Sequence, residues 1–218
     1  MVKQQRAART RHALIQAAAE AFTRDGFASA SLAAISRRAG VSSGALHFHF
    51  ESKNALAQAV EDEAADIFGR ITQEVALGDR TPLQGLVDVT HALMSHITED
   101  AVVRAGFALC RDVTRANDAV LRGAWERWVE DALDRAEQAG QLAEGVSVTD
   151  AATAIVAATV GFEVLGSTQE QWLSREAVAR LWGVLVPRIV RQHEQGAISC
   201  GPNSHGSPRR TSVLPRSN

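Results

Sequence analysis

Residues 31–50 read SLAAISRRAGVSSGALHFHF, and their punctuation sets the architecture. Ser31 is a good N-cap for a short helix from Leu32 to Ala39, and Gly40 stops it. Ser42 caps a second short helix, Ser43 to about Phe48. Two short helices joined by three residues that begin with Gly form a helix-turn-helix, whose second member enters a DNA major groove. Leu32, Ile35 and Ala39, with Val41, Leu46 and Phe50 beyond the turn, supply an apolar side that holds the pair to a preceding helix. The exposed start of the second helix is left small and polar, as Ser42, Ser43, Gly44 and Ala45. Side chains of that size let a helix backbone approach base edges, while hydroxyls and N-terminal N–H groups meet phosphates or bases.

The two histidines of this stretch admit three roles: metal ligand, proton carrier or polyanion contact. Residues two apart on a helix point about 200° from each other, so His47 and His49 do not chelate one ion in the i, i+4 manner. A catalytic histidine needs a nucleophile and an orienting acid, and neither stands out nearby. Beside a groove, His47 reaches a phosphate, while His49 either contacts the backbone or makes a structural hydrogen bond. Ser31 and Arg37 border the same surface, and Lys53 at the start of the next helix meets a phosphate together with that helix's dipole.

Around this centre the chain reads as helix throughout. Leu14, Ala17, Ala18, Ala21 and Phe22 recur at helical spacing in a first helix from about Arg9 to Asp25, closed by Gly26 and Phe27. Ser52 caps a fourth helix of roughly 25 residues, about 37 Å long, striped by Leu56, Val60, Ala64, Ile67, Ile71 and Val75. Pro82 opens a helix to about Ile97, Asp100 opens the next, and Asn117 or Asp118 starts one that contains Trp125 and Trp128. Thr149 caps AATAIVAATVGFEVLG, which is apolar almost all round and so expected to be buried on most sides. A last helix from Arg175 to about His193 has coiled-coil-like spacing, with a kink expected at Pro187. The fold class is therefore all-α: a three-helix DNA-binding domain over 1–52, a larger ligand-binding and dimerisation domain over 53–195, and a disordered tail over 196–218, with nine to ten helices in all. The tail from Gly196 is rich in Gly, Ser, Pro and Arg.

Charge follows the same division. Residues 1–60 carry +5, residues 61–195 carry −10 and the tail +3. A basic head on an acidic body suits a nucleic-acid reader, although scattered charge alone gives such a balance too. No apolar run approaches the roughly 20 residues that span a bilayer, and MVKQQRAARTRHAL has no signal core, so a cytoplasmic protein without membrane contact is expected. Cys110 and Cys200 lie far apart with no CxxC spacing, which indicates neither a disulfide framework nor a zinc site. No metal and no cofactor are expected. Polar residues within the apolar helices stand singly, which argues against an enzyme.

The segments ALIQAAAEAFTRDGF, SLAAISRRAGVS, GALHFHF and SKNALAQAV, in that order over about residues 9 to 58, resemble the TetR family of one-component bacterial regulators. That resemblance implies a homodimer on a palindromic double-stranded DNA operator and a helical body that binds a small-molecule effector. Together with VVRAGFALCRD and WERWVEDALDRAEQAGQL, GALHFHF is similar to the γ-butyrolactone autoregulator receptors of antibiotic-producing actinobacteria. By that similarity Trp128 stacks over the signalling lactone. Where those receptors usually carry GVTKGALYFHF, Ser43 here replaces a base-reaching Lys and His47 replaces a phosphate-binding Tyr. Phe107, Val103, Val156 and Phe162 are candidate pocket walls and Thr159 a candidate hydroxyl for the ligand, although Trp and Phe at helical spacing equally describe plain core. Glu163, costly to bury alone, calls for Arg104, a ligand or a place at the dimer rim. A sensor of another small molecule, a lactone-blind pseudo-receptor and a nonspecific architectural DNA binder are the alternatives.

Overall fold

The computed structural model describes residues 2–112 and 120–201, the side chains of residues 2 and 3 excepted. Among the described residues there are nine α-helices and no strand. They are α1 (Val2–Ser29), α2 (Leu32–Arg38), α3 (Ser43–His49), α4 (Lys53–Ala76), α5 (Pro82–Glu99), α6 (Ala101–Leu109), α7 (Val120–Gln138), α8 (Val148–Gly166) and α9 (Arg175–Ile189), with short 3-10 turns at Glu170–Leu173 and Gln195–Ala197. The expected start of α7 at Asn117 or Asp118 falls outside the described residues.

The helix starts follow their caps. Hydroxyls of Ser31, Ser42, Ser52 and Thr81 accept hydrogen bonds from Ala34, Ala45, Ala55 and Gln84 backbone N–H groups, and the Asp100 carboxylate caps Val102 and Val103. For α8 the cap is Ser147, two residues before the expected Thr149. In α1 the break falls where expected, at Gly26, whose φ of 76° is left-handed, and Phe27 folds back to put its ring 5.6 Å from that of Phe22.

Leu14, Ile15, Ala18 and Phe22 of α1 join Ile35, Leu46 and Phe50 to form a head, and the same helix packs broadly on α6. Helix α4 runs from the head into the body and packs on α6, α5 and α7. Gly106 of α6 permits the α4–α6 approach: a Cβ there would stand 2.6 Å from the Ala64 methyl. Leu86, Leu93, Trp125, Val129, Val178 and Trp182 continue the core through the body.

Three expectations need correction. Helix α8 is not buried on most sides; one face packs through Ala152, Ile155 and Thr159, while Val164 and Leu165 stay 42% and 43% exposed. Its 19 residues, at mean hydropathy 1.5, do reach the length and apolarity of a membrane span, yet its packed face is tied into the helix bundle through Trp125 and two arginines. Helix α9 stops at Ile189, four residues early. Pro187 withholds a backbone N–H there, Val190 turns extended, and Arg191 N–H donates to Gln141 C=O instead, 2.9 Å.

The third correction concerns the segment after Gly196, which is docked as far as residue 201. Ile198 is buried, Gln84 exchanges hydrogen bonds with Ser199 backbone (2.8 and 3.3 Å), and His91 Nε2 lies 2.9 Å from the Cys200 carbonyl oxygen. Residues 202–218 fall outside the described residues. Burial holds His91 below the ordinary imidazole range, with the Arg175 charge acting the same way and the Cys200 carbonyl opposing. The folded chain therefore prefers neutral His91, a contribution present above about pH 6.5 and lost as pH falls below it. Thermal unfolding of His91→Gln should lose less stability than the parent between about pH 7 and 5; identical slopes would show that this ring does not couple to folding.

Candidate DNA interface and effector cleft

Helix α3 presents its first turn to solvent. Ser42, Ser43, Gly44 and His47 are exposed and Ala45 is half-buried, while Leu46 and Phe50 point into the core. Ser42 uses an oxygen lone pair as the α3 cap and keeps its O–H as a donor. The turn before it is closed by Gly40 at φ 69° and by Val41 N–H donating to Ser36 C=O, 3.0 Å. Arg37 is exposed and forms no ion pair among the described residues, whereas Arg38 pairs with Glu20 and Arg24 with Asp25 at 2.7 Å. Of these arginines, Arg37 is the one with its charge uncompensated by a neighbour. Ser31 accepts the α2 cap bond at the edge of the same surface.

His49 is half-buried between two aromatic rings, 5.2 Å from Phe48 edge-on and 6.4 Å from Phe50. Phe48 itself is 83% exposed. Four residues from Gly44 on α3, it shares that residue's face, a register that could have marked it from the sequence. An exposed phenyl beside Gly44 and Ala45 suits contact with thymine methyls or deoxyribose.

Lys53 does not face the groove. Its Nζ donates to the carbonyl oxygens of Phe27, Ala28 and Ala30 at 2.8, 2.9 and 3.1 Å and stands 4.6 Å from the Phe27 ring centre. Three backbone acceptors at the end of α1 hold the ammonium more firmly than a mobile phosphate contact could, so the side chain locks α4 to the head. Lys53→Met should lower stability by about 2–3 kcal/mol and leave the salt dependence of DNA binding unchanged. A shallower salt slope, by about one phosphate contact, would return Lys53 to the DNA surface.

In the body, the six residues expected to line one pocket separate. Val103 and Phe107 are core, 1% and 3% exposed. Thr159 accepts a hydrogen bond from Trp125 Nε1 at 2.9 Å and donates back to its own helix at Ile155 or Val156, so its hydroxyl is satisfied internally. Val156 lines a shallow cleft with Glu126 and Glu130, and Phe162 lies 6.1 Å from Trp172. Trp128 lines a different space. It stacks on Trp125 (5.9 Å, 14°) and walls a space of about 240 Å³ with Val75, Pro82, Gly85, Arg80 and Arg135. Arg80 pairs with buried Asp88, which Gln84 also holds at 3.0 Å. This cleft lies against the C-terminal end of α4, the helix that Lys53 ties to the head.

Glu163 does not answer Arg104. It lies 2.7 Å from Arg111 and 3.6 Å from Arg122, and burial pushes its carboxyl above the ordinary range against the pull of both arginines. Among the described residues there is no cluster of three or more His, Cys, Asp or Glu that could hold a metal.

Residues 14–60 match the model of bacterial regulatory proteins of the tetR family. The chain is 31% identical over 197 residues to the A-factor receptor protein of Streptomyces griseus, covering 87% of this chain and 67% of that one. This chain belongs to the TetR family. Its folded form is similar to the crystal structure of a gamma-butyrolactone receptor (ArpA-like protein), with a TM-score of 0.75 and 25% identity over 88% of this chain and 93% of that one. It is equally similar, at TM-score 0.75 and 26% identity, to the TetR-family protein CprB from Streptomyces coelicolor in complex with its biological operator sequence, over 88% of this chain and 94% of that one. This TetR-family chain is thus a transcriptional regulator close to the γ-butyrolactone receptors, and its relatives are DNA-binding proteins rather than enzymes.

Proposed function

We propose that this regulator binds a palindromic operator as a homodimer, represses from it, and is released by a small signalling molecule of γ-butyrolactone type. The observation that carries the DNA half is the exposed first turn of α3, small and polar over residues 42–45, with Arg37, His47 and Phe48 around it. Two such heads, one helical turn of DNA apart, would read successive major-groove faces.

Dimerisation fits the apolar surface that α8 and α9 leave uncovered. Val164, Leu165 and Val184 are 42%, 43% and 70% exposed. Paired across a two-fold axis, α8 and α9 would form a four-helix bundle that fixes the separation of the heads. The division follows: residues 1–52 read DNA, and the body from residue 53 senses and dimerises in the cytoplasm.

The effector half rests on position. An occupant of the Trp128 cleft presses on the end of α4, and α4 is bonded to the end of α1 through Lys53. A shift of α4 therefore turns the head and spoils the spacing. Taking the DNA-competent fraction from 99:1 to 1:99 requires about 5.5 kcal/mol of differential affinity, which two ligands per dimer share. Adding a γ-butyrolactone to a protein–operator complex in a gel shift should release the DNA. A complex that survives saturating lactone would favour the second reading, a regulator of this same build that senses another small molecule or responds poorly to lactones.

A further inference from the structure

A second cavity, of about 270 Å³, shares no residue with the Trp128 cleft and lies where the end of α1 meets α5, α6 and α8. Its wall carries two guanidiniums, Arg104 and Arg111, two carboxylates, Glu163 and Glu170, and hydroxyls that include Thr23 and Thr168. The hydrogen-bonding capacity of these groups is unevenly used. Thr98, Ser167 and Thr168 donate their hydroxyl hydrogens to backbone carbonyls of Met94, Val164 and Leu165 at 3.0, 2.6 and 3.2 Å, which leaves each hydroxyl oxygen able to accept. Glu163, 6% exposed, has one buried oxygen, Oε2, that lies 3.6 Å from Arg122 as an ion pair and accepts no hydrogen bond among the described residues. Arg104 donates from Nε and Nη2 to the carbonyls of Ile97 and Thr98 and retains N–H groups on Nη1. A complementary occupant brings hydroxyl hydrogens for the oxygens and a carboxylate for Arg104, since Arg111 already pairs with Glu163.

We infer that this cavity is a binding site for a small polyhydroxylated carboxylic acid. A bare carboxylate leaves the hydroxyl acceptors unmatched, and a neutral polyol leaves the Arg104 guanidinium, which meets only backbone carbonyls, without an anion, in a setting where unmatched buried polar groups weaken binding. The site bridges the two parts of the molecule: Thr23 belongs to the head, and Arg111 and Glu163 belong to the body. An acid seated there fastens α1 to α6 and α8, and so acts on the same head orientation as the effector at the far end of α4, from a separate place.

Calorimetric and thermal-shift titrations of the full chain with D-gluconate, D-galacturonate and quinate test the site, with sorbitol and acetate as the half-matched controls. At least one of the three acids should bind saturably and raise the melting temperature, and neither control should match it. Thr23 is exposed, so Thr23→Phe fills the mouth without disturbing core packing and should weaken that acid about tenfold or more. Trp128→Ala should leave it unchanged, which separates this site from the effector cleft. Saturable binding by none of the three acids, acetate binding as well as they do, or acid binding that survives Thr23→Phe would each overturn the assignment.

Discussion

Gly44→Glu should abolish operator binding, by at least about 100-fold, and leave the protein folded. The glycine is not demanded by the backbone: it sits in the first turn of α3 without a left-handed φ, and a Cβ there would meet only Ser42 Oγ at 3.9 Å. A carboxylate in the first turn of a helix favours the helix dipole, so stability is held or slightly raised. Against DNA the same change is severe, because it adds bulk where the helix must approach base edges and negative charge where phosphates lie. Gly44→Ala, which adds only a methyl, should lose far less. Binding isotherms on one operator, with circular dichroism melts as the control, check both. Tight binding by folded Gly44→Glu would show that α3 is not the inserted helix.

Trp128→Ala should remove the response to effector while operator binding without effector stays within about threefold of the parent. The indole is half-buried, stacks on Trp125 and forms a wall of the cleft at the end of α4. Its loss takes away the aromatic face over the ligand and opens the cleft to water, so the lactone concentration needed for release should rise by about 100-fold. Trp128→Phe, which keeps a ring on Trp125, should recover part of the response, as a general loss of folding would not. Unchanged lactone sensitivity in Trp128→Ala would move the effector elsewhere in the body.

The parts of this molecule that the sequence made legible are those decided within a few residues. Ser31, Ser42 and Ser52 each accept a capping hydrogen bond from the backbone N–H three residues ahead, Gly26 and Gly40 adopt left-handed backbone where the pattern breaks, and the stripe of Leu56, Val60, Ala64 and Ile67 is buried. The exposed first turn of α3 follows from the same local pattern. Phe48 was equally local: its register places it beside Gly44, and it is 83% exposed.

The remainder depended on partners far along the chain. Lys53 meets carbonyls 23 to 26 residues back, and no feature near position 53 indicates them. Thr159 seemed free for a ligand until Trp125, 34 residues earlier, claimed its lone pair. Ser199 reads as tail because the chain from Gly196 onward is rich in Gly, Ser, Pro and Arg, yet Gln84, 115 residues away, holds it. Helix α8 shows the converse: apolar composition implies that a surface will be covered, and does not say whether the cover is this chain or a second copy of it.

Selection from a random duplex pool by the full-length protein, followed by sequencing of the bound DNA, tests the central claim most directly. The account predicts enrichment of an inverted repeat whose half-sites are centred about one helical turn, roughly 34 Å, apart, with none recovered by Gly44→Glu. Recovery of duplexes with no repeat, or of the same repeat by both proteins, would contradict it.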